Sequence, residues 1–417
     1  MKIGYACLAL GVPGSGMKTC TLKNATQERL LALIRHNLDA LDTLIDYNIK
    51  NGIRLFRISS DLIPFGSSAA RQLPWQDVYA GKLLMIGDKI RKAGMRVSMH
   101  PGQYTVLNSP DESVAQRAAE DLEYHAEVLD GLNLGPECKI ILHTGGVYGD
   151  KREAMKRFIS RFSNLNRSIQ RRLVLENDDK LFDIKDVLYI SESAGIPAVF
   201  DTLHHAVNPA DSSFSELDWI RECSKTWGVL DGPQKIHYSQ QHPGKKPGAH
   251  SESIRIDEFL AFAEKLSGLD PDIMLEVKDK NLSALKCMHC MQNSSIQLLE
   301  TEWARYKYSV LEHTPGHYYA IRELLKDKEA CPALEMYRLI EASLDTPVEK
   351  GTAVNAAQHV WGYFNDRASE AEKRRFQTAL RKFISNEAEL QPVKNLLESL
   401  ALKYRENYLL GSYYFSI

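Results

Sequence analysis

The sequence predicts a (β/α)8 barrel of the TIM type, followed by a small all-α domain. Three features carry this expectation. Eight short apolar runs are separated by stretches long enough to hold a helix. Most of the runs end in His, Glu or Asp. From about Leu299 no β-like run survives, and only helical periodicity remains. Short apolar runs bounded by turn signals read as buried parallel strands, and eight of them alternating with helices close a barrel.

In chain order the runs are KIGY (ending at Tyr5), RLFRISS (Ser59, Ser60), RVSMH (His100), KIILH (His143), LVLE (Glu176), PAVFD (Asp201), KIHYS (His237) and IMLE (Glu276). In this fold the active site is built at the C-terminal strand ends, where those polar residues fall. A Gly/Pro/Ser-rich loop follows Tyr5. The stretch from Gln27 to Asn51 then places Leu30, Ile34, Leu38, Leu41 and Ile45 on one helical face. Ser109-Pro110-Asp111-Glu112 has capping-box spacing, so a helix is expected from there. The tail reads as helices over Thr301–His313, His317–Leu325, Ala333–Ala342, Ala353–Phe364, Ser369–Ser385 and Leu390–Asn407. These patterns assign 1–280 to the barrel, 281–299 to a polar linker and 300–417 to the helical domain.

The 417 residues suit one barrel of about 250 residues plus an addition. Lys and Arg (52) nearly balance Asp and Glu (54), so nucleic-acid binding must rest on local charge. Seven scattered cysteines argue against a disulfide framework. There is no apolar run long enough to span a membrane, and the chain starts directly on a strand. A soluble, cytoplasmic protein without a membrane partner is expected.

His100, His143, Glu176, Asp201, His204, His237, His250 and Glu276 are candidate metal ligands. A lone strand-end His is more often a core or surface residue than a ligand. Buried carboxylates are different, because they need a cation nearby. The strands carrying Glu176, Asp201 and Glu276 supply no neighbouring cation except Lys278. Lys235 shares a strand face with His237, two residues on, and so points at the same place. It would contact a phosphate, become a carboxylate ligand by carbamylation, or snorkel outward. Clustered divalent ions suit phosphoryl transfer, with sugar isomerisation as the rival.

SMHPGQY (98–104), LHTGGVYG (142–149), LENDDK (175–180), FDTLHHAVNP (200–209), KIHYS (235–239), PGAH (247–250) and MLEVKDK (274–280) together resemble the UV damage endonuclease family, and FRISSDLIPFGS (56–67) fits as well. The resemblance implies a barrel nuclease related to endonuclease IV. Such an enzyme nicks damaged double-stranded DNA immediately 5′ to ultraviolet photoproducts. It implies up to three divalent ions, manganese first, with zinc, magnesium or cobalt as alternatives. His100, His143 and Glu176 would hold one ion. Asp201, His237 and Glu276 would hold a second, bridged by Glu176. His204, His250 and a carboxylated Lys235 would hold a third. Glu176, Lys235 and Tyr5 are the implied catalytic residues, and Gln103–Tyr104 would probe the lesion with Tyr5 beside them. Lys245 and Lys246 are candidates for phosphate contacts. The basic stretch Lys151, Arg152, Lys156, Arg157 and Arg161 is either a second such surface or a solvated helix face. The loop Ala6-Cys7-Leu8-Ala9-Leu10 departs from the family pattern, which carries a polar residue there.

The tail resembles a helical domain of unknown function through RYKYSVLEHTPGHYY (305–319), NAAQHVWGYF (355–364) and YLLGSYYF (408–415). His313, His317 and His359 with Tyr318 and Tyr319 form either a polar site or part of a helical core. Cys287 and Cys290 have metal-ligand spacing but lack a second pair. Rival functions are an abasic-site endonuclease, a metal-dependent sugar isomerase and a non-catalytic damage binder.

Overall fold

The computed structural model describes residues 1–292 and 294–417. Eight parallel strands close into a barrel: β1 (Ile3–Ala6), β2 (Leu55–Ile58), β3 (Arg96–Met99), β4 (Lys139–His143), β5 (Leu173–Glu176), β6 (Ala198–Asp201), β7 (Lys235–Tyr238) and β8 (Asp272–Leu275). Each strand pairs with the next, and β8 returns to β1 with Leu275 opposite Tyr5. Every strand residue is buried except the half-buried His143, as helices covering a parallel sheet require.

Strand parity decides what points inward. Ala6, Leu55 and Met274 pack together, as do Ile141, Val174 and Val199. Side chains alternate along a strand, so two residues further on the same face comes the next layer. Leu55 leads to Arg57, Ile141 to His143, Val174 to Glu176, Val199 to Asp201 and Met274 to Glu276. An apolar layer thus carries a polar one at the C-terminal end. Deeper in the barrel, Arg96 meets Asp272 at 3.1 Å and Lys139 meets Asp231. Gly4 is required where β1 meets β2, because a Cβ there would lie 2.1 Å from the Leu55 carbonyl oxygen.

The outer helices begin where the caps place them. Thr26 accepts from the Arg29 amide and starts Gln27–Lys50. The helix expected from Ser109 starts at Glu112 instead. Asp111 is its cap and accepts from the Ser113 and Val114 amides. Ser109 Oγ is occupied by the Asp111 amide, a local turn that delays helix entry.

The chain divides into two compact units. One comprises Met1–Ala9, Gly14–Ile254 and Ala261–Leu285, and the other Leu10–Pro13, Arg255–Leu260 and Lys286–Ile417. The expected linker differs from what is found, because a helix runs from Asn281 to Met291 and another from Ile296 to His313. Polar residues had masked the helical spacing of Leu282, Leu285 and Met288, which are buried. The second unit continues with helices Pro315–Leu324, Ala333–Leu344, Lys350–Trp361, Glu370–Ile384 and Gln391–Lys403, then Asn407–Leu410. Its core includes Leu311, Val360, Phe364, Phe376, Leu397 and Tyr414. Among the described residues, no helix is long and apolar enough to cross a membrane.

Candidate metal centre

Six successive strands, β3 to β8, deliver His100, His143, Glu176, Asp201, His237 and Glu276 to one end of the barrel, five of them as the last strand residue or the one just after it. Two donor sets form there. His100, His143 and Glu176 make one, and Glu176, Asp201, His237 and Glu276 the other. Within each set the donor atoms lie within 4.8 Å of one another. Glu176 belongs to both, so its two oxygens face different partners. Oε2 lies 3.1 Å from His100 Nε2 and 3.8 Å from His143 Nε2, whereas Oε1 lies 2.8 Å from His237 Nδ1.

The remaining candidates stand around these sets. His204 Nδ1 is 3.6 Å from Glu176 and 3.7 Å from Asp201, and His250 Nε2 is 3.9 Å from Glu276. His204 Nδ1 donates to the Asn177 carbonyl at 2.9 Å, and His100 Nδ1 donates to the Pro101 carbonyl at 2.9 Å. Each of these bonds orients its ring through Nδ1, so that Nε2 is the atom left to serve as a ligand once unprotonated.

The electrostatics favour cations. Burial pushes the Asp201 carboxyl up to about 8; His204 opposes this, while Glu176 and Glu276 add to it. Asp201 Oδ2 is buried without a hydrogen-bond partner. Burial would raise Glu176 too, but His237 and His143 outweigh it and hold the carboxyl well below its usual range. Burial lowers His143, His237 and His250. For His204 the pull of Asp201, Glu176 and Glu276 overcomes burial and lifts the imidazole to about 9. A buried carboxylate oxygen with no partner, set among imidazoles and further carboxylates, fits a divalent cation.

Lys235 is fully buried, which rules out the snorkelling alternative, and its Nζ has no hydrogen-bond partner. Burial, with Arg96 and Arg57 adding to it, pushes this amine well below the usual lysine value.

Sequence reading missed Arg57. Its Nη2 lies 2.5 Å from Glu276 Oε1 and 3.0 Å from His237 Nε2. The available signal was its place two residues after Leu55, but that helps only once the inward face is known. Lys278, the one cation the sequence offered, turns instead to Glu252 at 2.8 Å. Asn177 was also missed. Its side chain bridges to the Asp201 backbone, accepting from N at 2.8 Å and donating to O at 3.1 Å.

Tyr5 requires a correction. It is fully buried on the outward face of β1, and its hydroxyl donates to Asn48 Oδ1 at 2.8 Å. Ala6, not Tyr5, occupies the inward position, so Tyr5 reaches neither ions nor DNA. Gln103 and Tyr104 stand on an exposed loop after His100, with Tyr104 84% exposed. Lys245 and Lys246 are exposed, and Lys245 pairs with Glu252 at 3.1 Å. The basic helix Lys151–Phe162 is partly committed to structure. Arg157 donates to the Asn108 carbonyl at 3.0 Å, and Arg161 donates to the carbonyls of Leu107 at 2.9 Å and Ser109.

In the helical unit, His313 bonds the Thr346 carbonyl at 2.6 Å and His359 is exposed. No contact joins them among the described residues. Cys290 lies on a helix where burial pushes its thiol up to about 12, which disfavours the thiolate a metal needs.

Comparison with known proteins places this geometry. The family described as UV-endonuclease UvdE matches residues 1–304. The chain belongs to the UV DNA damage endonuclease family. A UV DNA damage endonuclease of Clostridium perfringens is 39% identical over 408 residues, covering 97% of this chain and 96% of that protein. One from Bacillus cereus (strain Q1) is 32% identical over 300 residues, covering 69% of this chain and 94% of its own length. The crystal structure of SacUVDE, 40% identical, superposes with a TM-score of 0.66 and covers 70% of this chain and 98% of its own. A protein family of unknown function (DUF1722) matches residues 307–417. Family membership makes the chain a nuclease acting on damaged DNA.

Proposed function

We propose that this chain is a divalent-metal-dependent endonuclease that nicks duplex DNA on the 5′ side of an ultraviolet photoproduct. The observation that carries the reading is Glu176, a buried carboxylate shared by two donor sets at the open end of the barrel. His100, His143 and Glu176 would hold one ion, and Glu176, Asp201, His237 and Glu276 a second. His204, His250 and Lys235, carboxylated on Nζ, would complete a third. Such ions, with manganese the first choice, supply an activated water and stabilise the leaving oxygen of a phosphodiester.

The chain's own residues do the rest. Asp201 would take a cation as the carboxylate, having lost the proton that burial favours, and Glu176 would share its negative charge between both donor sets. Asn177 fixes the His204 ring through its carbonyl and holds the backbone of Asp201. The Lys235 amine, which burial pushes down, would add to carbon dioxide with loss of a proton, giving a carboxylate donor in place of a buried amine. Tyr104 and Gln103, standing clear of the barrel, would fill the gap left when damaged bases leave the stack. Lys245 and Lys246 would contact backbone phosphate. Action on genomic DNA places the enzyme in the cytoplasm, with the nucleoid.

The test is incision of duplexes carrying one defined photoproduct, one abasic site or no lesion, with and without chelator, with the product ends mapped. Chelator-sensitive cleavage 5′ to the photoproduct, leaving a 3′-hydroxyl, is expected. Cleavage confined to the abasic duplex would replace this reading with the endonuclease IV type.

A further inference from the structure

The three tail segments that match a domain of unknown function converge on one feature. Lys307 projects from helix Ile296–His313 between two phenol rings, 4.6 Å from the Tyr308 centroid and 4.8 Å from that of Tyr408. Arg322, on the next helix, lies 5.7 Å from the Tyr318 ring. Tyr363 stacks on Tyr408 at 5.8 Å with planes 13° apart, and its hydroxyl bonds that of Tyr308 at 2.9 Å. Tyr319 stands 5.3 Å from Tyr318 and is 60% exposed.

The charge arrangement is unusual for a purely structural cluster. Neither Lys307 nor Arg322 has an ion-pair partner among the described residues. The two cations stand close enough that Arg322 adds to the burial that lowers Lys307. Phenol faces attract cations, but they do not neutralise them. Lys307 is half-buried and Arg322 is exposed, with no carboxylate paired to either among the described residues, so an anion joining them would relieve their repulsion. Tyr319, the more exposed ring, offers a flat apolar face at this spot, and Tyr408 exposes part of its ring while Tyr363 and Lys307 pack against it.

We infer that Lys307 and Arg322, framed by Tyr308, Tyr318, Tyr319 and Tyr408, form a binding site for single-stranded DNA. The cations take successive phosphates, and the exposed tyrosines take the bases by stacking. This combination of positive charge with sequence-tolerant stacking platforms is what strand binding without base readout uses. The choice of DNA over RNA rests on the proposed function; the choice of a phosphate-bearing, stacking polymer rests on the cluster alone.

The test uses the full chain and a short oligo(dT) carrying iododeoxyuridine. Photo-crosslinked peptides should contain Tyr319 or Tyr408. The double variant Lys307→Gln/Arg322→Gln should weaken oligo(dT) binding about tenfold. It should also lower the slope of log affinity against log salt by about 1.4, the release expected from two phosphates. Lys307→Arg should retain binding, and the melting temperature of each variant, together with photoproduct incision and metal content, should match wild type. Crosslinks confined to barrel peptides, or undiminished binding by the double variant, would overturn the site. Equal competition by thymidine monophosphate would make it a mononucleotide site, and preference for oligo(rU) would make it an RNA site; either result overturns the inference. Loss of incision on every substrate with tail crosslinks retained would count against the nuclease reading and not against this site.

Discussion

Arg57 Nη2 lies 2.5 Å from Glu276 Oε1, so a cation of the protein itself touches a carboxylate of the candidate donor set. The pair is buried, and Glu276 outlasts its burial as a carboxylate because Arg57 and His237 stand beside it. Removing the guanidinium leaves a buried charge unpaired. Arg57→Met is expected to lose about 3–5 kcal/mol of stability in chelator. Added manganese should return much of that loss, because an ion offers Glu276 a second partner. Thermal unfolding with and without metal checks both halves, and an equal loss in both conditions would separate Arg57 from the ions.

Glu176→Gln should keep the barrel, since amide and carboxylate have the same shape. An amide neither bridges two cations nor neutralises them. Elemental analysis should show fewer bound ions than in wild type, and incision should fall at least about a hundredfold. Undiminished metal content with full incision would remove Glu176 from the ligand set.

Replacing Gln103 and Tyr104 by Ala changes only exposed groups. Incision of photoproduct duplex should fall roughly tenfold or more while metal content stays intact. Metal lost from the double variant would mean that the loop supports the site rather than reading the lesion.

Lys235 makes a spectroscopic prediction. With labelled bicarbonate, the protein should give a carbamate carbon signal that is absent from Lys235→Met. That variant should hold one ion fewer and incise poorly. A fully metallated, active variant would return Lys235 to a purely structural place in the barrel.

In the helical unit, Glu372 caps the helix Glu370–Ile384 from its third position and also takes Lys403 at 2.6 Å. The Lys403 contact, then the Ser369 amide, lower its carboxyl to about 2. The folded value lies below the unfolded one, near 4.3. Its stabilisation is therefore complete above the unfolded value and is lost as pH falls toward about 2. The melting difference between wild type and Glu372→Gln should be constant near neutrality and shrink as pH drops below the unfolded value. A difference that grows on acidification would contradict the cap.

The barrel and its cluster of candidate donors were legible because strand ends advertise them. An apolar run closing on Glu176 or Asp201 leaves few explanations for a carboxylate at that depth. What the residues do not reveal is strand parity. All four positions of β1 and β2 are buried. Nothing local therefore says that Ala6 and Arg57 turn inward while Tyr5 and Phe56 turn outward, and this is where Tyr5 was misplaced and Arg57 overlooked. Register with the neighbouring strands decides it, a long-range property. The cation–aromatic cluster was invisible for a similar reason. Lys307, Tyr363 and Tyr408 meet only after four elements of the second unit have packed.

Six donors arriving from six consecutive strands tie the chemistry to the order in which the chain is made. A nascent chain that has emerged only through β5 already owns His100, His143 and Glu176, but the second set waits for β8 to find β1. Assembly of that set therefore depends on the last strand, and a chain stalled before Glu276 would carry an incomplete and less charge-balanced donor cluster. A donor cluster completed only by the last strand would spare the cell a half-built metal site.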